Sequence, residues 1–127
     1  MKYLLDTHAA IWALGDKAKL SVAAKSIIDD VSVALYASIV SAWEVAVKVS
    51  LGKLDFPGGA LDFLKNLQRN GIILLPLKAS HVGLVERLPL IHRDPFDRLL
   101  ISSALADDMT IITADANFRK YDVPIAW

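Results

Sequence analysis

Cysteine is missing altogether from the 127 residues. That excludes a disulfide framework, a thiolate zinc site and a cysteine nucleophile. An excess of either charge is missing too, since fourteen Lys+Arg face fourteen Asp+Glu. A wholesale polyanion binder normally shows a basic surplus, although a sum of charges says nothing about a local site. Long apolar runs are also lacking. The longest uncharged stretch is the 13 residues Val31–Trp43, and a spanning helix needs about 20. Asp6 cuts the first apolar run after three residues, which argues against a secretory signal. No G-x-x-x-x-G-K-[ST], G-x-G-x-x-G or G-x-S-x-G run exists, so phosphate-cradling loops and a serine elbow have no support. His8, His81 and His92 show no ligand spacing for zinc. The expectation is a cytoplasmic, soluble chain with no membrane partner.

What is present points to a dense core. Hydrophobic residues make up 54% of the chain and the mean hydropathy is +0.42. At roughly 100–200 residues per domain, residues 1–127 form one domain. Tyr3-Leu4-Leu5 reads as a buried strand, followed by a helix from Thr7 to Leu14. Ser21 is placed to cap a helix from Val22 to about Asp30. Residues 33–38 read as a strand. Ser41 is placed to cap a helix running to Leu51, with Gly52 as its stop. Further helices are expected over 60–68, 80–88 and 95–106, and strands over 72–75 and 110–113. Short apolar runs alternating with helices predict an α/β fold of three layers, α/β/α, around a parallel sheet. Strand order does not follow from this pattern.

Four acids stand against apolar sequence, where a bare charge is costly unless compensated. Asp6 ends the first strand, where the crevice of an open parallel sheet binds ligands, and it can equally cap the next helix. Glu44 lies on a helix that is apolar almost all round; its plainer reading is an i,i+4 pair with Lys48. In Asp94-Pro95-Phe96-Asp97, Asp94 fits the cap and Asp97 the N3 position of a capping box. Spacing does not choose between Asp94 and Asp97 as a functional acid. Asp115 follows the late strand, where a turn is its plainer role. Clustered, such carboxylates would repel one another unless cations balanced them. Oxygen-only ligation suits Mg²⁺ or Mn²⁺, ions that activate water and clamp phosphoryl oxygens.

Five strings in register resemble the PIN-domain family, and more narrowly its VapC-type toxins: Leu5-Asp6-Thr7-His8-Ala9, the run from Ser41 to Lys48, Leu51-Gly52-Lys53-Leu54, the run from His92 to Leu100, and Thr113-Ala114-Asp115. The resemblance implies a metal-dependent endoribonuclease with a pocket of Asp6, Glu44, Asp97 and Asp115. It selects Asp97 over Asp94, which becomes the cap. It implies Asp6, Asp97 and Asp115 as holders of Mg²⁺ or Mn²⁺, with RNA as substrate. It further implies a homodimer neutralised by a cognate antitoxin protein. Thr7, Lys48 and Arg98 are the candidate RNA contacts. If the four acids share one pocket, ten remain against fourteen basic residues, so a neutral total hides an acidic site in a mildly basic surround.

Three rival readings fit the residues less well. A receiver-type signalling domain would use a phospho-accepting Asp, for which Asp55 is tempting. It also needs a paired acid after the first strand, where Thr7 stands, and a late lysine, which Thr113-Ala114-Asp115 lacks. A phospho-aspartyl hydrolase with D-x-D fails at His8. In a non-catalytic binding module the four acids would only cap helices.

Overall fold

The computed structural model describes all residues 1–127. Five strands form one sheet: β1 (Lys2–Leu5), β2 (Ala34–Ser38), β3 (Ile73–Leu75), β4 (Thr110–Ile112) and β5 (Ile125–Ala126). Their order is β3-β2-β1-β4-β5, and every pairing is parallel. Parallel neighbours need crossovers, which six helices supply: α1 (Thr7–Gly15), α2 (Val22–Asp29), α3 (Ile39–Ser50), α4 (Gly59–Arg69), α5 (Ala79–Val85) and α6 (Pro95–Ala106).

Strand residues alternate between two cores, as the period of two requires. Leu5, Leu35, Ala37 and Ile112 face one core, closed by α1, α2, α3 and α4 through Ala9, Ala24, Val45, Phe63 and Leu67. Leu4 and Ile111 face the other, where Leu100, Ile101, Ala104 and Phe118 cover the sheet. The three-layer α/β/α arrangement follows from burying both faces.

The chain runs from β1 outward to β2 and β3, then returns to the other side of β1 for β4 and β5. The crossover direction therefore reverses between β1 and β4. In such sheets that reversal opens a crevice beyond the carboxyl ends of the two strands.

Two expectations are corrected. Helix α3 begins at Ile39, capped by Ser38, whose side chain accepts the Val40 N–H; Ser41 is inside the helix and fully buried. The strand residue Ser38 caps because β2 turns directly into α3 with no linker between them. The strand β5 was not anticipated: its two residues are too few to show alternation, and it is recruited by pairing with β4. The helix expected over 80–88 shortens to Ala79–Val85, since Pro89 stops any continuation.

Candidate active site

The reversal between β1 and β4 brings Asp6 and Asp115 together. Leu5 of β1 is in register with Ile112 of β4, so Asp6 leaves the sheet beside Thr113. Asp6 is only 6% exposed, and it caps α1 while standing at the crevice. Its Oδ1 accepts the Ala9 N–H at 2.7 Å, capping α1. Its Oδ2 accepts the Thr113 hydroxyl at 2.5 Å. Burial raises the Asp6 carboxyl above its usual range, against the pull of Thr113, the Ala9 amide and His8; the nearby charge of Asp115 pushes it further up.

Glu44 comes from the face of α3 turned toward α1 and is 3% exposed. Thr7 Oγ1 donates to its Oε1 at 2.7 Å and shares a second bond, 2.9 Å, with Ser41 Oγ. Lys48, one turn on, donates to Oε2 at 2.5 Å. Burial pulls the Lys48 ammonium down, but the bond and charge of Glu44, with Asp94 and Asp97 behind it, outweigh that pull and raise it. The i,i+4 pair and the inward-facing acid are thus one arrangement.

Asp94 and Asp97 separate cleanly. Asp94 Oδ1 accepts the Phe96 and Asp97 N–H groups and caps α6. Asp97 does not reach back to the cap. Its Oδ2 meets His92 Nε2 at 3.1 Å. Burial first, then the charges of Asp94, Glu44 and Asp115, raise Asp97 to about 7, with the His92 contact working in the other direction. That these acids feel one another is the electrostatic signature of a single cluster.

One cleft of about 170 Å³ is lined by Asp6, Glu44, Asp97 and Asp115, together with Thr7, His8, Lys48, His92 and Asp94. The four expected acids meet there, with no apolar side chain on its wall. Thr7 and Lys48 belong to it. Arg98 does not. Its guanidinium bonds the carbonyls of Pro89, Val85, Leu88 and His92 and the Tyr121 hydroxyl, pinning the loop before α6. Asp55 sits in an exposed segment between α3 and α4, not at a strand end, where a receiver would require it.

The donor set fits a divalent cation. It is rich in carboxylate oxygens, hard ligands that suit Mg²⁺ or Mn²⁺. His92, Asp94 and Asp97 can each aim one ligand atom within 4.8 Å of the others. Two carboxyls whose ionisation is disfavoured are what such a charge would relieve.

Two contributors escaped the sequence reading. Thr113 is fully buried, and only the pairing of β1 with β4 reveals that it serves Asp6. His92 sits five residues before Asp97, a spacing with no helical meaning because a loop and the α6 cap intervene. Its position within the string His92-Arg93-Asp94-Pro95-Phe96-Asp97 was the one available signal.

Comparison with known proteins agrees with this geometry. The PIN domain family pattern matches residues 3–124. Ribonuclease VapC22 of Mycobacterium tuberculosis is 28% identical over 124 residues, spanning 95% of this chain and 92% of that protein. Among solved structures, VapBC2 from Rickettsia felis, bound to a promoter DNA fragment, superposes with a TM-score of 0.73 at 15% identity, covering 98% of this chain and 97% of that one. FitAcB from Neisseria gonorrhoeae superposes with a TM-score of 0.61 at 18% identity, covering 97% and 95%.

Proposed function

The chain belongs to the PIN domain family, and from that premise we propose that it is a metal-dependent endoribonuclease, the VapC-type toxin of a toxin–antitoxin pair. The observation that carries the reading is the convergence of Asp6, Glu44, Asp97 and Asp115 on one polar cleft. Support for the toxin assignment comes from the likeness to Ribonuclease VapC22 along nearly the full length of both chains.

Asp6, Asp97 and Asp115 would hold Mg²⁺ or Mn²⁺ directly. Each Asp6 oxygen already accepts one protein hydrogen bond, which fixes the carboxylate's orientation and leaves each oxygen a lone pair for ligation. Glu44 would act through an intervening water, because its carboxylate is already neutralised by the ion pair with the Lys48 ammonium, which Asp6 lacks. When bound, the ion supplies a nucleophilic water at neutral pH and stabilises charge on the phosphoryl oxygens. His92 orients Asp97 through its Nε2 contact. Lys48 keeps a positive charge at the rim of an otherwise negative cleft, where a phosphate of the substrate must pass.

The antitoxin would be a protein of the kind present in the VapBC complexes that share this fold, and the active chain a homodimer. Exposed Trp43, Leu51 and Leu90 provide apolar surface for such contacts. No helix of the structure is long and apolar enough to cross a membrane.

The test is cleavage of structured and unstructured RNAs with Mg²⁺ or Mn²⁺, repeated with EDTA and with the Asp6→Asn and Asp97→Asn variants. Cutting that chelation and both substitutions abolish is the expected result. Intact RNA under every condition, for the protein freed of any antitoxin, overturns the reading.

A further inference from the structure

The carboxylate cleft does not end at the carboxylates. On one side it opens into a second hollow of about 260 Å³ lined by Asp6, His8, Trp12, Ala114 and Asp115. Three of these residues, Asp6, His8 and Asp115, also line the cleft itself, so the two spaces are continuous. The wall that is new is aromatic. Trp12 lies one turn beyond His8 on α1, with ring centroids 5.9 Å apart, and Trp127 backs it at 5.9 Å. Trp12 is half-buried and packs against the core, so one part of the indole is fixed while another borders the hollow. Through Thr7, His8, Glu44 and Lys48 the cleft also adjoins a third hollow with a different character. There Lys48 and Lys53 stand over Ile11 and Leu54.

The three adjoining spaces, which all share His8, therefore present an aromatic wall, a carboxylate centre and a pair of ammonium groups. A strand of RNA offers a matching series. With a scissile phosphate at the carboxylates, one flanking nucleotide can lay its base on an aromatic face, and the phosphate on the other side can meet a cation. The aromatic hollow, at about 260 Å³, has room for one planar base. A base in duplex cannot enter it without leaving its stack.

We propose that Trp12, held by Trp127 and flanked by His8, is a base-stacking subsite for one of the two nucleotides flanking the scissile phosphate, which makes unpaired RNA the substrate at that position. The proposal rests on the ribonuclease reading above. Stacking on an indole tolerates any base, so Trp12 demands an unpaired nucleotide without dictating which base it carries.

The experiment uses a short unstructured RNA whose cut bond has been mapped with the unmodified protein and Mg²⁺. Abasic nucleotides are placed, one at a time, on either side of that bond, and kcat/KM is measured for the unmodified chain, Trp12→Phe and Trp12→Leu. Loss of one base on one side alone is expected to lower kcat/KM about 10-fold in the unmodified chain, the order of a single base–aromatic stack. Trp12→Phe keeps the ring and the abasic effect. Trp12→Leu keeps apolar bulk against Trp127, cuts the intact RNA about 10-fold less well, and shows no further loss with the abasic RNA. The abasic series on the unmodified chain needs no variant to fold. If neither abasic position matters there, the proposal is overturned while the nuclease remains. If Trp12→Leu leaves RNA cleavage unchanged but prevents inhibition by a co-purified antitoxin, the hollow serves a protein partner and the proposal is likewise overturned. If the intact RNA is not cut at all, the ribonuclease reading fails and the subsite falls with it.

Discussion

The hydroxyl of Thr113 donates to Asp6 Oδ2 at 2.5 Å, and Thr113 Oγ1 in turn accepts the Asp115 N–H at 3.0 Å. One buried side chain thus ties the acid after β1 to the acid after β4. A carboxylate as buried as Asp6 is held in its ionised form partly by such donors. Thr113→Val keeps the shape and removes the donor. It is expected to weaken divalent-ion binding and RNA cleavage about 10-fold, the scale of one hydrogen bond to a charged group. Thr113→Ser should restore both. Calorimetric titration with Mn²⁺ beside the cleavage assay checks this.

The raised carboxyls set a pH dependence. Without a bound cation the native protein keeps a proton on Asp97 up to about 7, whereas the unfolded chain releases it near its ordinary value of about 3.9. Between those limits the folded state binds more protons, so stability falls as pH rises and levels off above about 7. Asp6, also raised, adds a change of the same sign. A cation competes with these protons, so its affinity should climb with pH up to about 7. Melting curves from about pH 5 to about pH 8, with and without Mg²⁺, should show the metal-induced gain in Tm widening as pH rises.

Asp97→Asn removes one of the mutually repelling charges. In the absence of a divalent ion the variant is expected to be more stable than the parent at neutral pH, on the order of 1 kcal/mol, a stability gain exchanged for activity. It should also lose both cleavage and the Mg²⁺-dependent rise in Tm. Urea unfolding with and without Mg²⁺ separates these effects.

Arg98 is a loop anchor. Its guanidinium reaches the carbonyls of Val85, Leu88, Pro89 and His92. Arg98→Ala is expected to cost about 2 kcal/mol, because several partly buried acceptors lose a charged donor together. The salt dependence of RNA binding should keep its slope, since no phosphate contact is lost. A lysine that lines the cleft, changed as Lys48→Met, should reduce that slope instead.

His81 ties α5 to the end of α6. Its Nδ1 accepts the Lys78 N–H at 3.2 Å, which assigns the proton to Nε2 and makes it the donor to Asp107 at 2.9 Å. Burial works to raise the Asp107 carboxyl, but the bonds and charges of His81 and Lys78 prevail and lower it. Its stabilising contribution is therefore present above the ordinary carboxylate value and is lost as pH falls through the lowered one. Asp107→Asn should lower stability at neutral pH and flatten the acid limb of the unfolding curve, which acid titration followed by circular dichroism measures.

Local sequence carried the elements whose signals are local. Asp94-Pro95 starts α6 and Ser21 caps α2 as expected, because a cap and its helix lie within four residues of each other. The short apolar runs of the strands, alternating with helices, indicated a parallel sheet covered on both faces. The aspartates at the ends of β1 and β4 were visible as acids after apolar runs. Ser41 misled, because a serine near a helix start looks the same whether it caps the first turn or is buried against a side chain of another helix, as Ser41 is against Thr7.

Tertiary structure decided which of these features meet. Nothing in the sequence states that β4 lies beside β1, yet that adjacency creates the crevice, places Thr113 against Asp6, and brings Asp115 within range of both. Thr7 and Glu44 are 37 residues apart, and only the packing of α1 on α3 makes them partners. The missing charge excess resolves in the same way. Composition counts charges without placing them, and a fold can gather five of fourteen acids into one cleft while only one of fourteen basic residues, Lys48, lines it. Composition and local pattern therefore determined the fold class and the candidate acids. Strand order, a long-range choice made by packing both sheet faces at once, decided that those acids meet in one cleft.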